Sequence, residues 1–486
     1  MRAWRRTLVS LRNGELMDRL DYRGVVELAG MIARGETTAR DAVQHSLDRI
    51  AKLDPLLNAF AAVRTEEALA EASELDQEQA TGSLRGALHG VPMVIKDEND
   101  VAGLPTAYGG ASVTTPAASD SELVRRLRAA GAVIVGKTRM PEFGIWPFTE
   151  TSAHGYTRNP WDLLRSPAGS SGGTAAAVAA GIVPAGIGGD GGGSIRLPSS
   201  YCGLFGLKAQ RGRISVAPNS DLWRSLGVLG PLTRSVADSA LIYDAVAGTV
   251  AADRFSAPPW QGTLMEAATT DPQPLRIALA LNNPTGGPDA DAETIHALRV
   301  TASKLQEFGH EIVELTPKYP SVKTAFLLQV LGGIRDEAAR VEHPEFLERR
   351  TVTMARLGDR LNRLVPRAER RGIAEGKKFL KTFFTDIDLI LTPTTPSPAV
   401  PVGQLDGLDF RKASAVATPV ASFTSIWNLM GNPAAAIPTG MTASGLPLSG
   451  QVIGPAASEE LVISLSAQIE RAQPWAHRQP PMASLE

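Results

Sequence analysis

Two short apolar runs rich in β-branched residues, Val91-Pro-Met-Val-Ile95 and Ala132-Val-Ile-Val135, bracket an amphipathic stretch from Ser121 to Ala130. Buried strands on either side of a helix make a β–α–β unit, and that unit assigns the chain to the α/β class. The same alternation resumes at Leu275-Arg-Ile-Ala-Leu-Ala280, with a helix over 298–308, a strand over Glu311-Ile-Val-Glu-Leu315 and a strand over Asp388-Leu-Ile-Leu-Thr392. Residues 23–79 read as helices, from the three- and four-residue spacing of Val25, Leu28 and Ile32 and of Val43, Leu47 and Ile50. Residues 321–384 predict a long charged helical stretch broken at Gly332-Gly333, Pro344 and Pro366, and 458–471 a last amphipathic helix. With 486 residues the chain is long enough for a large core. The Pro-rich segment 256–274 reads as a surface connection within one fold, not as a domain linker.

Lys+Arg 49 against Asp+Glu 51 leaves a net charge of −2, which is no electrostatic footprint for nucleic acid or an anionic membrane. A single cysteine, Cys202, rules out an internal disulfide framework and a multi-thiolate metal site. No apolar run has the length of a membrane span, and the stretch Thr7-Leu-Val-Ser-Leu11 is too short for a signal peptide. The expectation is a cytoplasmic protein with an N-terminal extension (1–22), one catalytic domain (23–475) and a C-terminal tail (476–486).

Three short motifs fail on context. Gly131-Ala-Val-Ile-Val-Gly-Lys-Thr138 fits a phosphate loop, but its four middle residues read as a strand. Gly186-Ile-Gly-Gly-Asp-Gly191 fits a dinucleotide fingerprint but follows a helix and lacks the acidic residue about 20 positions on. Gly169-Ser-Ser-Gly-Gly173 fits a nucleophile elbow but follows a loop, and no histidine stands in a telling setting.

The chemistry is carried by two Gly/Ser nests. Ala168-Gly-Ser-Ser-Gly-Gly-Thr174 runs into an alanine-rich helix, and Gly188-Gly-Asp-Gly-Gly-Gly-Ser-Ile-Arg196 follows. Successive glycines let backbone N–H groups converge on a developing oxyanion, and a serine at the end of such a run is placed to attack. A serine needs a base. Lys96, at the end of the run 91–95, is the candidate: burial favours a neutral lysine, opposed by Asp97 if that carboxylate lies close.

These residues resemble the amidase signature family. Gly90-Val-Pro-Met-Val-Ile-Lys-Asp97, Gly136-Lys-Thr-Arg-Met-Pro-Glu-Phe-Gly144, the segment from Gly169 to Lys208 and Asn428-Leu-Met-Gly-Asn-Pro433 carry the likeness, over roughly residues 23–475. The resemblance implies one α/β/α domain around a large mixed, twisted sheet. It implies a catalytic lysine at Lys96, a bridging serine after a cis peptide bond at Ser170, a nucleophile at Ser194, and oxyanion donors at Gly191, Gly192, Gly193 and Ser194. It implies hydrolysis of a carbonyl C–N bond through an acyl-enzyme, with no cofactor and no metal. The expected partner is a small-molecule amide or carbamate, with no nucleic acid or membrane partner and a homodimer left open. Alternatives within the family are a carbamate hydrolase using the same triad, and the amidotransferase subunit that supplies ammonia to mischarged transfer RNA within an assembly.

The chain departs from the family pattern at Gly191, at Ala168 and in Leu448-Ser-Gly-Gln451. Gly191, where a larger residue is usual, is expected to widen the pocket and to favour bulky aryl or alkyl amides and the matching esters. Asp190 and Arg196 are expected to brace the nucleophile loop. Substrate-binding candidates are Ile145, Trp146, Phe148, Trp223 and Trp427, together with the 321–384 segment.

Overall fold

The computed structural model describes residues 20–221 and 223–484. Eleven strands form one mixed sheet in the order β1-β3-β2-β6-β8-β7-β12-β13-β11-β9-β10. Their ranges are β1 Phe60–Val63, β2 Pro92–Lys96, β3 Val133–Thr138, β6 Ala185–Asp190, β7 Phe205–Lys208, β8 Val228–Thr233, β9 Arg276–Ala280, β10 Glu311–Leu315, β11 Leu389–Pro393, β12 Ala434–Met441 and β13 Pro447–Ile453. The two-residue strands β4 (Glu150–Thr151) and β5 (Gly155–Tyr156) pair separately. Strands β3, β2 and β6 run parallel, as do β10, β9 and β11, and antiparallel pairs join the two blocks. Helices flank the sheet, as the α/β reading requires.

The alternation of side chains along a strand decides where the site forms. Met93 and Ile95 of β2 enter one apolar cluster, and Val94 enters another together with the alanines of the helix Gly172–Ala179. Lys96 is two residues beyond Val94 and so shares its face. The small residues of β6 let that helix sit close. A Cβ on Gly186 would lie 2.5 Å from Val94 and 2.6 Å from Thr174, and one on Gly188 2.5 Å from Ser171. Much of the glycine in this region therefore serves packing.

Several expectations change. The segment 166–213, in which only the helix after Thr174 is legible, also holds β6, a helix Arg196–Cys202 and β7. Strand β1 interrupts the run expected to be helical over 23–79, and a helix Leu264–Thr269 lies within the connection 256–274. The helix Lys323–Ala338 passes through Gly332-Gly333 unbroken. Cβ atoms there would meet Val365 at 2.9 Å and Trp223 Cα at 3.1 Å, so these glycines permit close packing instead of breaking the helix. Pro344 opens a short 3₁₀ turn and Pro366 falls in the first turn of the helix Val365–Phe383, where proline is tolerated.

Residues 1–19 of the expected N-terminal extension lie outside the described residues. Residues 20–22 belong with the domain: Leu20 is buried, and the Tyr22 ring lies 5.5 Å from the guanidinium carbons of both Arg49 and Arg234. At the other end, Met482 of the expected tail is buried in an apolar cluster.

Candidate active site

Because β2 and β6 are parallel, their carboxyl ends lie side by side. Lys96 ends β2, Asp190 ends β6, and the loop Gly191–Ser194 leaves β6 directly. The peptide bond between Gly169 and Ser170 is cis, and Ser170 precedes the helix Gly172–Ala179. Lys96 Nζ donates to Ser170 Oγ at 2.8 Å, with Gly189 C=O at 3.4 Å. No hydrogen bond joins Ser170 Oγ to Ser194 Oγ, but both residues line one small recess with Lys96. Catalytic hydrogen bonds in an unliganded site are commonly long and tighten only with substrate in place.

Lys96 is 1% exposed, and burial pulls its ammonium below the usual lysine range. The opposing carboxylate is Glu98, not Asp97. Glu98 Oε2 lies 3.2 Å from Lys96 Nζ and raises the lysine's pKa against the larger effect of burial, with a smaller contribution from Asp190. Asp97 instead pairs with Lys137 at 2.9 Å and accepts the Gly109 N–H. Glu98 escapes a reading of the sequence because nothing in the order Lys-Asp-Glu tells which carboxylate turns back toward the lysine.

The loop that carries Ser194 is fixed from below. Arg196 donates to both oxygens of Asp190, through Nε at 2.9 Å and Nη2 at 3.0 Å, and also reaches Asn428 Oδ1, Gln451 Oε1 and Thr424 C=O. Asp190 accepts the N–H groups of Gly193, Ile195 and Arg196. Burial alone would raise its pKa, but the charge and hydrogen bonds of Arg196 outweigh burial and hold the carboxyl far below the usual range. The structure thus gives Asp190 and Arg196 the bracing part. It also removes Gly193 from the expected donor set: its N–H is taken by Asp190 Oδ1 at 2.7 Å, while among the described residues no backbone hydrogen bond engages the N–H groups of Gly191, Gly192 and Ser194.

Two cavities meet at Ser194. The small recess has a volume of about 30 Å³ and a mixed wall, in which Lys96, Glu98, Ser170, Asn219 and Glu337 stand beside Tyr108, Met140, Phe143 and Val228. The other cavity, about 340 Å³, is apolar, with Ile145, Trp146, Leu197, Phe326, Val330 and Met354 in its wall. Trp223 lines both. Of the sequence candidates, Ile145, Trp146 and Trp223 are therefore at the site. Phe148 and Trp427 are not. Both are fully buried in the core, where the Trp427 ring packs edge-on against Tyr319 and its indole N–H donates to Phe423 C=O. Cys202 is buried, and burial pushes its thiol far above the usual range.

Gly191 does not widen the pocket. The space its side chain would fill holds the Trp223 indole, with Cε3 2.8 Å from an ideal Cβ. Trp223, Arg224 and Ser225 all take positive φ, 50°, 53° and 74°, and this left-handed turn carries the indole into that space. Gly191→Thr is expected to cost roughly 1–3 kcal/mol of stability by overpacking and, by displacing the indole at the site, to lower kcat/KM on small and bulky substrates alike. Kinetics on a small and a bulky amide check this; faster turnover of the small amide would mean that the indole yields.

The family model for amidases matches residues 41–463. The chain belongs to the amidase signature family. It is 42% identical to a putative amidase, AmiB2, of Mycobacterium tuberculosis, over 95% of this chain and 98% of that one. It is 31% identical to an acylamidase of Rhodococcus erythropolis, over 95% and 98%. Among solved structures, 6-aminohexanoate cyclic dimer hydrolase in complex with its substrate superposes with a TM-score of 0.89 at 29% identity, covering 95% of this chain and 99% of that one. This amidase is a hydrolase acting on C–N bonds. Among its described residues no helix is long and apolar enough to cross a membrane.

Proposed function

We propose that this amidase cleaves amides through an acyl-enzyme on Ser194, with Ser170 as the bridging serine and Lys96 as the base. The observation that carries the reading is the 2.8 Å hydrogen bond from a fully buried lysine to Ser170 in the wall that also holds Ser194. Neutral Lys96 takes the Ser170 proton, Ser170 takes that of Ser194, and Ser194 Oγ bonds to the carbonyl carbon. The N–H groups of Gly191, Gly192 and Ser194 receive the oxyanion. The protons return through Ser170 to the departing nitrogen as the C–N bond breaks, and water releases the acid. No metal or cofactor enters these steps. The apolar cavity beside Ser194 supports a substrate with one bulky apolar part. Esters and carbamates present the same carbonyl to the same groups, so a panel of matched amides, esters and carbamates ranks the three. Stoichiometric labelling of Ser194 by a phosphonyl fluoride, located by peptide mass, tests the nucleophile; labelling elsewhere would overturn it.

The pH dependence follows from the setting of Lys96. Only its neutral form accepts a proton, so the rate rises with pH through the lysine's pKa, which burial places below the ordinary value. Glu98 favours the charged form. Glu98→Gln is therefore expected to lower the pKa further and to move the rising limb of kcat/KM to lower pH, increasing the ratio of activity at pH 6 to that at pH 9. A pH–rate profile of the two proteins checks the sign; a shift to higher pH would show that Glu98 is not what holds the charge.

A further inference from the structure

We propose that the two cavities divide the substrate between them: the large apolar cavity takes the acyl group, the small recess beside Ser170 takes the leaving amine, and the enzyme is selective for primary or minimally N-substituted amides of bulky apolar acids. The inference rests on the Lys96–Ser170–Ser194 reading and adds a direction to it.

The direction comes from the proton. A departing amide nitrogen must be protonated as its bond breaks, and in this site that proton arrives from Ser170. The nitrogen therefore lies within hydrogen-bond reach of Ser170. Ser170 stands in the wall of the recess and not in that of the apolar cavity, whereas Ser194 stands in both. A carbonyl carbon bonded to Ser194 Oγ then has its nitrogen on the recess side and its acyl group on the other.

Size sets the selectivity. A recess of about 30 Å³ has room for roughly two water molecules, enough for an amide NH₂ or a methylamine but not for an aryl ring. The apolar cavity is about ten times larger. The recess wall is mixed, but it holds acceptors: the Glu98 and Glu337 carboxyls, the Tyr108 hydroxyl and the Asn219 side-chain carbonyl lie in it, and Glu98 Oε1 is buried with no partner. An N–H group meets acceptors there, while an aromatic leaving group would cover them without replacing their hydrogen bonds. Across the partition, Phe326, Val330 and Met354 offer apolar contact only.

Trp223 is the partition. It borders both cavities, lies against Gly191 on one side and close to Gly333 on the other, and is held by the left-handed turn 223–225. The Arg224–Asp336 ion pair at 2.5 Å ties that turn to the helix Lys323–Ala338. Trp223 is thus a specificity-determining residue, and its removal should open the recess into the larger space.

The test is a four-substrate matrix on the wild-type protein: 4-phenylbutyramide, its anilide, acetamide and acetanilide. The expected result is a kcat/KM for 4-phenylbutyramide at least tenfold above that for acetanilide and at least tenfold above that for its own anilide. Smaller ratios, or reversed ones, overturn the assignment. Trp223→Ala is expected to raise the ratio of anilide to primary amide for the phenylbutyryl pair at least tenfold; an unchanged ratio in the folded variant overturns Trp223 as the partition. Should that variant fail to fold, the wild-type matrix still decides the direction. Running the matrix with Ser194→Ala separates the two claims. Turnover that survives the substitution removes the catalytic reading. Turnover that is lost with it, but with acetanilide preferred in the wild type, removes only the direction.

Discussion

Ser194→Ala is expected to abolish turnover on every substrate the enzyme accepts, a loss on the order of 10⁴- to 10⁶-fold in kcat. Two other candidate nucleophiles are disarmed: Cys202 is buried with its thiol held protonated, and Ser171, next to Ser170, donates its hydroxyl to Gly189 C=O. Lys96→Ala and Ser170→Ala should each fall by several orders of magnitude. The pair together should lose little more than either alone, because a relay works as one unit. Purified protein, circular dichroism and a chromogenic amide suffice. Substantial activity in folded Ser194→Ala would sink the assignment of the nucleophile.

The second large effect is on the support beneath that serine. Arg196→Ala strips the buried Asp190 of its bidentate partner, and breaking a buried ion pair from one side costs about 3–5 kcal/mol. The expected outcome is a clear fall in the urea midpoint together with loss of activity in the protein that remains folded. Asp190 fixes the N–H groups of Gly193, Ile195 and Arg196, so Ser194 sits in a loop whose anchor on either side is weakened. The sign of the pH effect follows from the depressed Asp190 carboxyl. Its contribution is fully present above the ordinary carboxylate pKa of about 4 and is lost as pH falls through the lower folded value. Wild type should therefore lose stability on acidification in a range where Arg196→Ala has less left to lose. Equal midpoints at pH 7 would show that the network holds little of the fold.

Sequence patterning marks the elements that carry bulk and misses those that do not. Strands β2, β3, β9, β10 and β11 announce themselves by β-branched or leucine-rich runs. Strand β6 is Ala-Gly-Ile-Gly-Gly-Asp, which has almost no strand signal because its small residues are there to admit a helix. The helix Lys323–Ala338 reads as broken at a Gly-Gly pair that exists to let Trp223 and Val365 approach. At the site, the lysine, the two serines and the glycine loop are legible as motifs. What cannot be read is contact across the fold. Glu98 turns to Lys96 while Asp97 turns to Lys137, the Gly193 N–H is spent on Asp190, and Trp223 fills the space left by Gly191. Among the aromatic and aliphatic pocket candidates, Phe148 and Trp427 belong to the core, since an isolated aromatic in sequence carries no sign of which way it faces.

The Arg196 network also orders events during synthesis. Its partners Thr424, Asn428 and Gln451 lie 228, 232 and 255 residues downstream. At the usual 5–20 residues per second, a growing chain carries Ser194 for roughly 10–50 s before the side chains that set its loop have been made. The Ser194 loop is thus set among the last parts of the molecule, by residues near the end of translation, and a ribosome-bound or prematurely terminated chain holds Lys96, Ser170 and Ser194 without the frame that fixes that loop.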